Sequence, residues 1–326
     1  MTEVPHQPAE YALNLCEVGH QAFFSTTPPT EASFTQAMTS ICTTWQNRLG
    51  IECFPRIYLG SYFCDRLFAS MSESFMDVFS TYVSNAGTAC TLVVPLFSQN
   101  MLQAGKKRLA ALLERTREDG TFLFDEVVAN DPATAQFAQQ YAQASGNPVR
   151  LAYGRMMAKT TRDPRHSVLE ETAQPYAVDA EQAAYLREQG YTLLECDPFA
   201  PVVDTSALEN ALPLALHLPH CLMTTGHVCE AAGTNLDPTQ KFRPCGPCQQ
   251  ECLRNIQVYE SFNLQTEAPV YFTRLGRTIF FENPGCALQG QQPQRIIWTP
   301  ADYLFPAAQP AQPVGQAALL GGQSWE

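Results

Sequence analysis

Five cysteines crowd the stretch HCLMTTGHVCEAAGTNLDPTQKFRPCGPCQQEC: Cys221, Cys229, Cys245, Cys248 and Cys252. Separated by seven, fifteen, two and three residues, they sit on loops of different length that can converge on one centre. Such convergence of thiolates is what an iron–sulfur cluster or a tetrahedral zinc requires. Cys245-Gly-Pro-Cys248 is a CxxC whose Gly246 and Pro247 can turn the chain so that both sulfurs point one way. A CxxC also serves as a redox dithiol, but that use expects a strand-to-helix context without further thiols, and here three more stand beside it. Disulfides are another use of clustered cysteines. The opening MTEVPHQPAEYALNL, however, has no basic start followed by an apolar run, so nothing marks the chain for secretion and a reducing cytoplasmic location is expected.

The remaining cysteines divide into two groups. Cys16, Cys42, Cys53, Cys90 and Cys196 stand in apolar surroundings such as ALNLCEV and TACTLVV, where a thiol behaves as a small buried hydrophobe. Cys64 and Cys286 are harder to dismiss as core, because each follows a strand-like run and stands at a loop start. His217, His220 and His227 flank the first two thiols, and could ligate a metal, bond to cluster sulfur or be structural. Asp125, Glu126, Asp131, Glu195 and Asp197 end strand-like runs where acid–base groups are displayed, although Asp131 reads equally well as a helix cap. Arg155, Lys159, Arg162 and Arg165 form a basic stretch, either for an anionic substrate or for solvating a lid. No Ser/His/Asp constellation is readable, so peptidase activity has little support and catalytic residues stay unassigned.

Positioning these groups falls to alternating strand and helix. Strands are predicted over 12–18, 55–60, 90–96, 122–129, 149–154, 191–197, 212–218 and 268–273, as short apolar runs suited to burial on both faces. Helical patterns lie between most of them, with Asp131-Pro132 opening one helix and Gly120, Gly146 and Gly190 stopping others. About eight such strands, without a GxGxxG or GxxxxGK[ST] loop, predict a distorted (β/α)8 barrel of the triosephosphate-isomerase type with a cysteine-rich insertion (221–252) after a late strand. Chemistry in such barrels collects at the C-terminal ends of strands, where Cys64 and the cysteine run both fall.

Composition bounds the alternatives. The 326 residues suit one barrel domain over 11–305, between a polar N-terminal tail (1–10) and a flexible tail rich in Pro, Ala, Gln and Gly (306–326). Residues 160–180 form a long polar connection of the kind used as a lid. A net charge of −12 disfavours nucleic acid, and no apolar run is long enough for a membrane span.

The cysteine run resembles the signature of the collagenase-like peptidase family, in which a Cys, a short Ser/Gly stretch and a second Cys precede Cys-x3-Cys and an Arg. Cys248-Gln-Gln-Glu-Cys252-Leu-Arg254 is close to the last element. IYLG (57–60), FDEVVANDPATAQFAQQY and VRLAYGRMMAKTTR resemble its early and central strands, so the similarity spans roughly residues 50 to 290. Two branches of that family are accessory proteins of oxygen-independent hydroxylation in ubiquinone biosynthesis. The resemblance therefore implies a 4Fe–4S cluster (zinc being the alternative), a small aromatic or quinone-precursor substrate, and a heterodimer with a related chain. One branch implies Cys64, Cys229, Cys248 and Cys252 as ligands, and the other Cys221, Cys229, Cys248 and Cys286. Cys245 is an added thiol, and neither set is forced. The alternative function is a hydrolase or RNA-modifying factor of the same family with a structural zinc or cluster.

Overall fold

The computed structural model describes residues 10–17, 29–158, 163–165, 178–197, 206–233, 236–240, 248, 250–253, 256–264, 266–282 and 293–300. Its elements run β1 (Glu10–Asn14), α1 (Glu31–Leu49), β2 (Arg56–Gly60), α2 (Asp65–Ala69), α3 (Glu73–Ala86), β3 (Ala89–Val94) and α4 (Leu102–Leu113). The chain continues through β4 (Glu126–Ala129), α5 (Pro132–Ser145), β5 (Arg150–Tyr153), α6 (Ala180–Glu188), β6 (Tyr191–Cys196), α7 (Ser206–Ala211) and β7 (Leu214–Leu218). It ends with β8 (His220–Thr225), α8 (Glu230–Gly233), β9 (Gln257–Phe262), β10 (Pro269–Leu275), β11 (Thr278–Glu282) and β12 (Arg295–Trp298).

Eight parallel strands close a barrel in the order β1-β12-β7-β6-β5-β4-β3-β2, so the chain has the (β/α)8 architecture its sequence predicts. Side chains alternate along each strand. Leu13, Ile57, Leu92, Val94, Leu194 and Leu216 pack outward under the helices, whereas Ala12, Val93, Val128, Ala152, Leu193 and Ala215 fill the interior. Burial on both faces is why these strands read as unbroken apolar runs. The helices start and stop on local chemistry. Asp131 caps α5 before Pro132, with Gly146 at its end, and Thr30 and Asp179 make capping boxes on α1 and α6.

The structure corrects the sequence reading in several places. The run at 268–273 is not a barrel strand. It lies in β10 of a four-stranded antiparallel sheet, ordered β8-β11-β10-β9, and the barrel closes instead on the four residues of β12. β10 alternates exposed and half-buried positions over Pro269–Tyr271 before Phe272 and Thr273 are buried, unlike the barrel strands buried on both faces. The helix expected to stop at Gly120 ends at Leu113, because Asp119 accepts from the Thr121 amide and turns the chain at Gly120 into a small hairpin bridged between Thr116 and Phe122. Glu10, assigned to the tail, already belongs to β1. Cys53 is exposed, not core. Residues 1–9 and 301–326 lie outside the described residues, as does most of the expected lid. Among the described residues no helix is long and apolar enough to cross a membrane.

Charges close the N-terminal end of the barrel. Arg56 binds Asp125 (2.8 Å) and Glu10 (3.1 Å), Arg150 binds Asp125 (2.6 Å), and the buried Arg295 and Glu126 pair at 2.6 Å. Asp125 and Glu126 thus belong to the face that carries stability in such barrels, not to the face that carries chemistry.

Candidate functional site at the barrel mouth

The C-terminal ends of the strands open into a cavity of about 470 Å³. Cys64, Cys229, Cys248 and Cys252 all line it, beside apolar walls from Phe63, Leu67, Leu253 and Leu275. Each thiol arrives by a definite route. Gly60 ends β2 at φ +126°, and a Cβ there would stand 2.1 Å from the Val93 carbonyl oxygen, so only glycine lets β2 leave its neighbour at this point. The chain then turns through Ser61, whose hydroxyl accepts from the Cys64 amide at 2.8 Å, and Cys64 caps α2 with its sulfur facing the Leu67 amide. Cys229 stands immediately before α8, where the Gly233 amide donates to its carbonyl, and Cys252 lies in a single helical turn over Glu251–Leu253.

The antiparallel sheet seals these loops onto the barrel. At the β10–β11 turn Gly276 has φ +60°, and a Cβ on it would meet Cys252 Cβ at 3.1 Å and Cys229 Sγ at 3.4 Å. Space beside the two sulfurs therefore depends on that glycine. Arg277 reaches across the mouth, donating from Nε to the Phe63 carbonyl at 2.6 Å and standing 3.5 Å from Asp65. Asp65 in turn accepts from the amide and hydroxyl of Ser98, which ties in the loop after β3. Below the sheet, the buried Arg155 pairs with Asp197 at 2.7 Å and donates to the His220 carbonyl, and Asp197 accepts from the Leu222 amide.

The thiols influence one another electrostatically. A hydrogen bond from Cys252 draws the Cys229 thiol below its ordinary range, against burial and assisted by the Ala231 and Ala232 amides and by Arg277. The same hydrogen bond keeps the proton on Cys252, and burial and the nearby Cys229, Cys64 and Cys248 act in the same direction. Burial pushes Cys64 up to about 11, against the pull of Arg277. These mutual effects place the four sulfurs in one neighbourhood. Among the described residues, no group of three or more Cys, His, Asp or Glu side chains is drawn tightly enough to hold a single metal ion.

Of the other predicted ligands, Cys221 is buried on β8 in a cluster with Phe272 and Phe281 and is not among the residues lining the cavity. Cys245 and Cys286 lie outside the described residues, as do Lys159 and Arg162. His227 lines the cavity, whereas His217 is buried in the barrel, 3.2 Å from Glu195. His220 is buried, and burial together with Arg155 holds it neutral, with a pKa down to about 3. Arg155 belongs to the core rather than to a basic lid, and Arg165 pairs with Asp163.

Sequence reasoning missed Glu17, Asp65, Ser98 and Arg277. Glu17 had a usable signal, since it stands near the end of the apolar run ALNLCEV, as Glu195 and Asp197 stand near the end of theirs.

No family model matches the chain, and no curated protein matches it. A solved structure, that of the spore cortex-lytic enzyme SleL from Bacillus megaterium QM B1551, is similar at a TM-score of 0.36 and 10% identity over 94% of this chain and 75% of that one, too slight a likeness to inform either fold or site.

Proposed function

We propose that Cys64, Cys229, Cys248 and Cys252 hold an iron–sulfur cluster of the 4Fe–4S type. We further propose that the protein takes part in oxygen-independent hydroxylation of a small aromatic or quinone-like precursor, alongside a related chain. The observation that carries this reading is the presence of all four thiols on the wall of one cavity at the barrel mouth. The donors fit in kind, because four thiolates are the usual ligands of such a cluster, and the space left at Gly276 suits them. A cluster takes one thiolate at each iron, so it does not need the sulfurs gathered around a single point. Bound there, it would supply one-electron transfer.

The chain's own residues would do the rest. Phe63, Leu67, Leu253 and Leu275 offer an aromatic guest apolar surface and exclude water, while Arg277 holds the Phe63 loop in place. Zinc is the second reading, favoured by the direct hydrogen bond between Cys229 and Cys252, since tetrahedral zinc brings its sulfurs into close mutual approach.

Anaerobic purification followed by visible absorption, iron, zinc and acid-labile sulfide analysis tests both readings. Matched iron and sulfide, lost in Cys64→Ala and Cys248→Ala but kept in Cys221→Ala, is the expected result. Colourless protein carrying zinc, or no metal after anaerobic reconstitution, would remove the redox role and turn the search to hydrolytic chemistry.

A further inference from the structure

We propose that Glu17 is the polar anchor of the thiol-lined cavity, its carboxyl Oε2 exchanging a hydrogen bond, and with it a proton, with an oxygen on an aromatic guest. The inference rests on the cavity being the guest site proposed above, but not on the cluster.

Three observations converge on this residue. Glu17 is only 7% exposed, yet it lines the large cavity and also a second, water-sized space of about 20 Å³ behind it. The hydrogen bonds it accepts from the described residues all fall on one oxygen: Oε1 accepts from Ser61 Oγ (2.6 Å), the Tyr62 amide (2.8 Å) and the Phe63 amide (3.3 Å). Among the described residues Oε2 accepts no hydrogen bond, so its acceptor capacity is left to whatever enters the cavity that Glu17 lines. The backbone at Glu17 has φ +58°, a left-handed conformation that a non-glycine residue adopts at a cost of about 1 kcal/mol or more, and such outliers gather at functional sites. The chain is held there by the Asn14 side chain, whose Oδ1 accepts from the Cys16 amide and whose Nδ2 donates to Thr299.

Other ionisable groups surround it. Cys16, Arg155 and His220 face the inner space, while Asp65, Arg66, His227, Arg277 and the thiols face the outer one. Burial raises the Glu17 carboxyl to about 7, against its three hydrogen bonds and Arg155, so both protonation states are accessible near neutrality. An ionised Glu17 accepts from a phenol, and a protonated one donates to an ether or carbonyl oxygen.

The test is binding of 4-butylphenol and 4-butylanisole to the full chain, followed by calorimetry from about pH 5 to about pH 9. Phenol affinity should rise with pH by about tenfold, the worth of one hydrogen bond to an ionised group, and anisole affinity should fall by about fivefold, the worth of one between neutral groups. Glu17→Gln should flatten both profiles while His227→Asn keeps them. Flat or parallel wild-type profiles overturn the inference, as do opposed profiles that survive Glu17→Gln. The wild-type pair of profiles decides even if that variant does not fold. If neither probe binds, both the inference and the aromatic-guest reading fall. Iron and sulfide in the same preparations report the cluster separately, so its absence leaves the Glu17 result standing.

Discussion

The two ends of the barrel use the same residue types to opposite effect. At the N-terminal end, burial alone would raise Asp125, but Arg56 and Arg150 more than reverse it and bring the pKa down to about 2. Glu126 is likewise held below the usual carboxylate range, burial being outweighed by Arg295 and Arg56. Towards the mouth, burial raises Glu17 to about 7, and burial aided by the charge of Glu126 raises Glu195 to about 8, although Glu195 bonds Tyr62 and His217. Matched ion pairs are what a barrel needs to stay closed, whereas carboxyls left without a cation keep a proton available near neutrality. The mouth holds matched pairs too, Arg155 with Asp197 and Arg277 with Asp65, so what sets it apart is that Glu17 and Glu195 keep raised pKa values beside them.

The largest effect expected from this contrast is at the closed end. Arg295→Met removes the nearest cation from the buried Glu126, leaving Arg150 as its ion-pair partner at 3.7 Å, and should cost about 3 kcal/mol or more in urea denaturation, the penalty for breaking a buried pair. Glu195→Gln, which resembles the protonated acid already present, should cost far less at neutral pH. Equal losses in the two variants would erase the distinction.

Comparable in size is the dependence of stability on pH. A carboxyl whose folded pKa is raised binds its proton more tightly in the native state, so Glu195 should make stability fall from about pH 4.5 to about pH 8, and Glu17 to about pH 7. Each contributes a slope of up to about 1.4 kcal/mol per pH unit within its window. Asp125, with its pKa lowered, contributes stability above about pH 3.8 that is lost as pH falls toward 2. Denaturant midpoints across pH should therefore peak in mild acid, and Glu195→Gln should flatten the alkaline side. A maximum that stays at pH 8 in the wild type would contradict the assignment.

Smaller effects test the thiols away from the mouth. Cys221→Ser puts a hydroxyl beside Phe272 and Phe281 and should cost about 1–3 kcal/mol of stability with iron content unchanged. Cys53→Ser, at an exposed position, should move the melting midpoint by no more than about 0.5 kcal/mol allows.

Much of this was legible in the sequence. Seven barrel strands and the Asp131 cap follow from apolar runs and turn residues, because parallel strands buried on both faces write continuous patterns. β12 was missed because Arg295-Ile-Ile-Trp is only four residues long, while APVYFT nearby offered a longer apolar run. Cys64 was legible as a strand-end thiol, but its meeting with Cys229, Cys248 and Cys252 is made by tertiary contacts across the mouth, such as Arg277 on the Phe63 carbonyl. Periodicity has no way of recording such contacts. Cys221, by contrast, is near Cys229 in sequence yet faces the aromatic cluster, since alternation along β8 directs side chains to opposite faces of the sheet.

The placement of β12 between β1 and β7 has a consequence for biosynthesis. Until the ribosome has passed Trp298, the strands already made can form only an open sheet whose two exposed edges are β1 and β7. The cysteines at 229–252 emerge before closure, so a nascent chain presents these thiols while the barrel is still open. A clip or stalled translation upstream of Arg295 would leave both edges available to pair with another copy, making β12 the latch against aggregation.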